Sequence, residues 1–289
     1  MRTLTAIGIG TLLSVITALS GCTSAIQPFK SSAADVDYET SVSYDLASLP
    51  PPKEKIVIST YKFKDQTGQY KPGTGQVGWS TAVTQGATSM LIKALQDAGA
   101  GTWFTVLERE SLNNLLNERR IIRQTRQQYL KNNPDQKMPP LAPLLYAPIL
   151  LDGGIVAYES NLLTGGIGAR YFGLGGSTQY SRDSVTIYLR AISVQNGSVL
   201  KSILTHKTVF SISLDGGIYR FIHFQRLLEV EGGYTSNEPP QMAVLEAIEK
   251  AVYSLIVEGA INGLWSFADK AAGQAIIDQY LAEKKAGAG

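Results

Sequence analysis

The middle third of the chain restricts its fold more than any other part. Between Ile155 and Arg190, and again between Ser198 and Glu231, helical recurrence at three and four gives way to alternation. Leu200, Leu204, Thr208, Phe210, Ile212 and Leu214 read as one face of a strand, with Lys201, Thr205, Lys207, Ser211 and Ser213 as the other. Asp215-Gly216-Gly217 reads as a turn, and residues 218–230 return as a second strand. Upstream, residues 158–163 and 167–189 flank Gly165-Gly166 in the same way. A transmembrane strand needs about 9 to 11 residues, so each region is long enough for an up-and-down hairpin. Spanning barrels begin at about 8 strands, and an open sheet edge in hydrocarbon leaves N–H and C=O groups unpaired at several kcal/mol each. Hairpins of this kind therefore either share a barrel with other chains or extend a water-soluble sheet, and periodicity leaves both readings open.

The N-terminus supplies a compartment. Arg2 is followed by an uncharged run from Thr5 to Ser20 and then Gly21-Cys22, the pattern of a secretory signal peptide over residues 1–21. That run is shorter than the roughly 20 apolar residues of a spanning helix. Leu19-Ser20-Gly21-Cys22 also resembles a lipoprotein lipobox, which makes Cys22 the acylated first residue of the mature chain; the alternative is an ordinary cysteine. Thr23 stands where the inner-membrane retention signal has Asp, so the expected destination is the outer membrane. A lone thiol excludes an internal disulfide, and with His206 and His223 the only histidines, the usual Cys/His zinc sites lack ligands. With 26 Lys+Arg against 24 Asp+Glu there is no cationic surplus for nucleic acid.

Residues 22–53, polar and ending in Pro50-Pro51-Pro52, read as a tether from lipid to domain. From residue 54 to 154 the pattern is α/β. A strand at 56–63 is followed by a helix that buries Val83, Ala87, Leu91, Leu95 and Ala98 and closes at Gly99, then by a strand at 103–108. A second helix from Ser111 to about Tyr129 is expected to turn Leu112, Leu115, Leu116 and Ile122 inward and its Arg/Glu/Gln face outward. A proline-rich loop spans 132–148. Residues 232–289 carry a helix after Pro239-Pro240, with Leu245, Ile248, Val252, Leu255 and Ile256 opposite Glu246, Glu249 and Lys250, and a weaker last helix at 266–283.

Catalytic motifs are wanting. The glycine-rich stretch 165–176 matches neither phosphate-binding pattern, and Gly78-Trp79-Ser80 lacks the final glycine of a nucleophile elbow. Glu229 and Glu231 read as a solvated strand rim rather than a catalytic pair. The sequence supports no enzyme and no cofactor.

Several motifs carry a family resemblance: DQTGQYKP (65–72), STAV (80–83), LLNERRIIR (115–123), YESN followed by GGIGARYFG (158–173), TQY (178–180), RFIHFQRLLE (220–229) and YTSNEP (234–239). On these the chain, from about Leu49 to Trp265, resembles the CsgG family of curli-secretion lipoprotein channels. The resemblance implies a periplasmic α/β domain with two inserted transmembrane hairpins, 155–190 and 198–231, and a 36-stranded barrel closed by nine protomers. It implies an ATP-independent route for unfolded curli-type subunits, aided by small periplasmic and surface accessory proteins. It also implies a constriction within residues 64–79, where Trp79 and Gly78 take the family's Phe and Asn positions. Gly73 or Thr74 stands where the family has Tyr, the loop is one residue longer, and Tyr70 keeps the aromatic before Lys71-Pro72. The competing reading of Trp79 is a hydrophobic staple on a helix capped by Ser80. The competing reading of the whole chain is a periplasmic scaffold or binding lipoprotein without a pore.

Overall fold

A computed structural model describes residues 40–68, 70–71, 80–81, 83–163, 178–214, 218–221 and 239–287. Cys22, the signal segment, Gly73, Thr74, Gly78, Trp79 and the 215–217 turn lie outside the described residues. Strand β1 (Ile56–Thr60) pairs in parallel with β5 (Phe104–Glu108) on one side and with β6 (Ile149–Leu163) on the other. The sheet continues antiparallel through β7 (Thr178–Ser193), β8 (Val199–Leu214) and β9 (Ile218–Phe221). Beyond the end of β1, the short β2 (Lys64–Asp65) takes its place alongside β6, completing a seven-stranded mixed sheet. Outside it, β3 (Tyr70–Lys71) and β4 (Ser80–Thr81) form a small ladder.

The helices are α1 (Ser41–Ala47), α2 (Ala87–Asp97), α3 (Leu112–Asn132), α4 (Pro239–Ile261) and α5 (Lys270–Ala286). Helix α4 opens on two prolines, tolerated where helical N–H groups lack partners anyway. It lies across β7 and β8 and is flanked by α1, α2 and α5. The core joins Val185, Ile187 and Leu189 of β7, Leu91 and Leu95 of α2, and Ile248, Val252, Leu255 and Ile256 of α4. Burying each such side chain contributes about 1.5–3 kcal/mol. Among the described residues no helix is long and apolar enough to cross a membrane.

Several sequence expectations change. The tether over 22–53 is folded from Thr40 onward, because Thr40 and Ser43 form a capping box and Leu46 and Leu49 are buried. The carbonyls of Pro50 and Pro51 accept from Trp103 Nε1 at 3.0 Å and Ala268 N at 2.9 Å, so the proline run is strapped down. Helix α3 buries none of its residues: Leu116, Ile121, Ile122 and Tyr129 are exposed. Its amphipathic pattern is real, but the described residues offer it no layer to cover. Two of its arginines, and Arg109 just before it, meanwhile hold the proline-rich segment back along the helix. Arg126 donates to the Pro139 carbonyl at 2.8 Å, Arg119 to that of Ala142 at 2.5 Å, and Arg109 to that of Leu145 at 2.9 Å.

Glu246 and Glu249, read as the polar side of α4, are buried at 2% and 5% exposure because helices and β8 enclose α4 on several sides. The two faces of β8 read from alternation meet different surroundings. Leu204 points away from α4 at 68% exposure, whereas Lys201, Thr205 and Lys207 meet Glu258, the Ala247 carbonyl and Glu246. Alternation located the strand, but these lysines cover helix rather than water because each finds a partner on α4.

Candidate functional site

The candidate loop is rooted by its first leg in the main sheet. Strands β3 and β4 pair Tyr70 with Thr81 and Lys71 with Ser80, closing the base of residues 72–79. Before them, β2 joins Lys64 to Gly154 and Asp65 to Ile155, and Gln66 N donates to the Ile155 carbonyl at 2.9 Å. Asp65 Oδ1 accepts from Thr67 N at 2.9 Å and Thr67 Oγ1 at 2.7 Å, making a tight Asx-type turn that Gly68, at φ 63°, continues. Asp65 Oδ2 accepts from Gln85 Nε2 at 3.3 Å, which ties the returning leg to the outgoing one. Phe63 is buried, and its N–H donates to Thr88 Oγ1 of α2 at 3.0 Å.

Helix α2 begins at Ala87 after Gly86, whereas Ser80 belongs to β4. Ser80 is therefore not the cap of this helix, and the staple reading of Trp79 built on that cap does not hold. Of the proposed loop residues, Tyr70 sits in β3 at the base of the loop; the others are outside the described residues.

The stem beside the loop explains why two glycines interrupt a strand pattern. A Cβ at Gly153 would lie 2.5 Å from the Phe63 ring, and one at Gly154 would lie 2.7 Å from the Lys64 carbonyl. Neither position admits a side chain while β2 docks. Asp65 and Gln66 fall within the expected 64–79 span, but their role in rooting it was not legible, nor were Gln85 and Gly154; the Gly-Gly inside an otherwise strand-like run was the available signal.

Strands β6, β7 and β8, of 15, 16 and 16 residues, hold the core residues Tyr158, Val185 and Val209, and their backbone extends from these to Leu163, Thr178 and Leu214. Their register carries Leu163 to Tyr180 and Tyr180 to Ile212 without loss of pairing. A register shift between Ile155 and Ala157 marks a bulge in β6 near the start of this extension. Among the described residues no group of His, Cys, Asp and Glu could hold a metal ion.

The fold and the loop define a mixed α/β domain built on one open sheet whose central antiparallel strands are 15 and 16 residues long. The chain belongs to the CsgG family of curli production assembly/transport components, whose family model matches residues 39–284. This is a transport and assembly family rather than an enzyme family. Over 263 residues the chain is 45% identical to the curli production assembly/transport component CsgG of Escherichia coli, covering 90% of this chain and 91% of that protein. The corresponding proteins of Salmonella typhimurium and Citrobacter koseri match with the same identity and coverage. Among solved structures, the PelC dodecamer from Paraburkholderia phytofirmans matches 71% of this chain and 92% of that chain at 11% identity, with a TM-score of 0.28.

Proposed function

We propose that the chain is one protomer of a lipid-anchored outer-membrane channel that exports unfolded curli-type amyloid subunits without nucleotide hydrolysis. The observation that carries this reading is the length of β6, β7 and β8. At about 3.3 Å per residue, strands of 15 and 16 residues reach roughly 50 Å in all; their core residues take up one end, and the remainder is the root of the hairpins 155–190 and 198–231 that cross a hydrocarbon core of about 30 Å. One chain with two hairpins cannot satisfy its edges in lipid, so the barrel closes between copies; nine copies of four strands make the 36-stranded barrel the family resemblance implies. The exposed apolar residues of α3 are the surface a neighbouring copy covers. Cys22 supplies the acyl anchor, and Tyr70, Gly73, Thr74, Gly78 and Trp79 belong to the constriction. A ring of glycine-rich backbone and aromatic edges lets an extended polypeptide slide while compact folds are held back. Diffusion, confinement and capture outside supply direction, with small periplasmic and surface accessory proteins engaging the two mouths.

Planar-bilayer recording of purified rings, with the ring count fixed by microscopy, tests this reading. Large stable conductance is expected, and its repeated absence from intact rings would refute a channel. In the same rings Trp79→Ala should raise conductance; unchanged current would remove Trp79 from the constriction. Protease protection of 155–231 in membranes separates the channel from a pore-free scaffold.

A further inference from the structure

Beside the loop root, four polar side chains form a continuous path from the first leg of the loop into the hairpin stem. Gln66 Nε2 donates to Tyr188 Oη at 3.1 Å, and Tyr188 Oη donates to Asp152 Oδ2 at 3.3 Å. Arg190 Nη2 donates to the same oxygen at 2.5 Å, and the Arg190 guanidinium stands 4.8 Å from the centre of the Tyr188 ring. The path runs from the residue just after β2 to Tyr188 on β7, across to Asp152 on β6, and back to Arg190 on β7. Gly154 provides its clearance, since a Cβ there would be 3.0 Å from Tyr188 Cε1 and 3.4 Å from Gln66 Nε2.

We infer that Gln66, Tyr188, Asp152 and Arg190 act together as a positioning lock that fixes the constriction loop to β6 and β7. The aperture is then set by the stem of the transmembrane hairpin as well as by the loop's own residues. A loop held only by its two legs could tilt about its base. Here the outgoing leg is held by backbone pairing to Ile155 and by a side chain reaching Tyr188, two contacts on different strands. Arg190 stabilises the Tyr188 ring from one side and Asp152 orients its hydroxyl, so the acceptor offered to Gln66 is presented in a single direction. This inference rests on the reading of the loop as the constriction.

The test uses intact full-length rings of Tyr188→Phe, Gln66→Ala and the double variant. Tyr188→Phe keeps the ring beneath Arg190 and deletes only the hydroxyl. Each single variant should speed amide exchange over residues 66–71 by about three- to tenfold, the scale of one net hydrogen bond. Each should also widen the open-channel current distribution while leaving the ring count unchanged. The double variant should be no worse than either single one, because the two residues share one contact. Additive effects, unaltered exchange, or an unaltered current distribution would overturn the lock. Absence of channels from wild-type rings would instead refute the channel reading, and the exchange measurements would still decide whether the four side chains act as a unit.

Discussion

Lys207→Met should cost about 2–3 kcal/mol of stability, below the roughly 3–5 kcal/mol of a fully buried pair because the Lys207 side chain is 24% exposed. Lys207 lies on β8 with its ammonium paired to Glu246 Oε2, and the Glu246 side chain is 2% exposed. Methionine replaces much of the lysine stem, so the loss isolates the charge rather than the packing. The penalty arises on the other side of the pair, where the Glu246 carboxylate, 2% exposed on α4, loses the Lys207 ammonium. Thermal unfolding of the purified protein in detergent should show Tm lowered by roughly 10 °C, the scale for a chain of this size. Adding Glu246→Gln to Lys207→Met should recover much of the loss, since an amide needs no counter-charge. A single variant that unfolds with the wild type would show that water or another cation reaches Glu246.

That pair also shows where sequence ceases to predict structure here. The helices α2 and α4 were legible from their own period, and the strands β1 and β5 from short runs rich in β-branched and aromatic residues. Gly99, at φ 56°, marks the end of α2 as expected. What the period could not reveal is which element covers which face. Lys201 and Lys207 look like the wet side of a strand until α4, some forty residues later, brings Glu258 and Glu246 over them. The apolar positions of α3 looked like a core face, yet none of them is buried within the described residues. The loop root was hidden for a similar reason. Gln66 and Tyr188 are separated by 122 residues, and no spacing rule joins them. The proposed anchor at Cys22 and the constriction near Trp79 rest on local motif and family likeness, which needs no tertiary contact to be read.

Glu249 should make stability fall as pH rises from about 5 to 8, and Glu249→Gln should remove that dependence. Its carboxyl is raised to about 7. Burial on α4 is the largest cause; a hydrogen bond from Thr40 pulls the other way, and the charges of Glu246 and Asp97 add to the rise. Thr40 Oγ1 donates to Glu249 Oε2 at 2.5 Å, where the folded end of the N-terminal segment docks. An unfolded glutamate titrates near 4.3, so between that value and about 7 the folded protein holds a proton that the unfolded chain has lost. Stability from this group is therefore complete in mild acid, declines by about 1.4 kcal/mol per pH unit across the interval, and is gone above pH 7. From pH 5 to 8 the loss is roughly 2–3 kcal/mol. Glu258 does not blur the comparison. Burial pushes its carboxyl up, but hydrogen bonds from Lys201, Lys284 and Tyr280 outweigh burial and hold it at about 2, so its contribution is present above the ordinary glutamate range and lost only in stronger acid. Unfolding of wild type and Glu249→Gln should be followed at each half unit from pH 5 to 8. The variant should gain on the wild type steadily as pH rises and level off above 7; parallel curves would mean that Glu249 is solvated in the folded protein and that its bond to Thr40 is not closed from water.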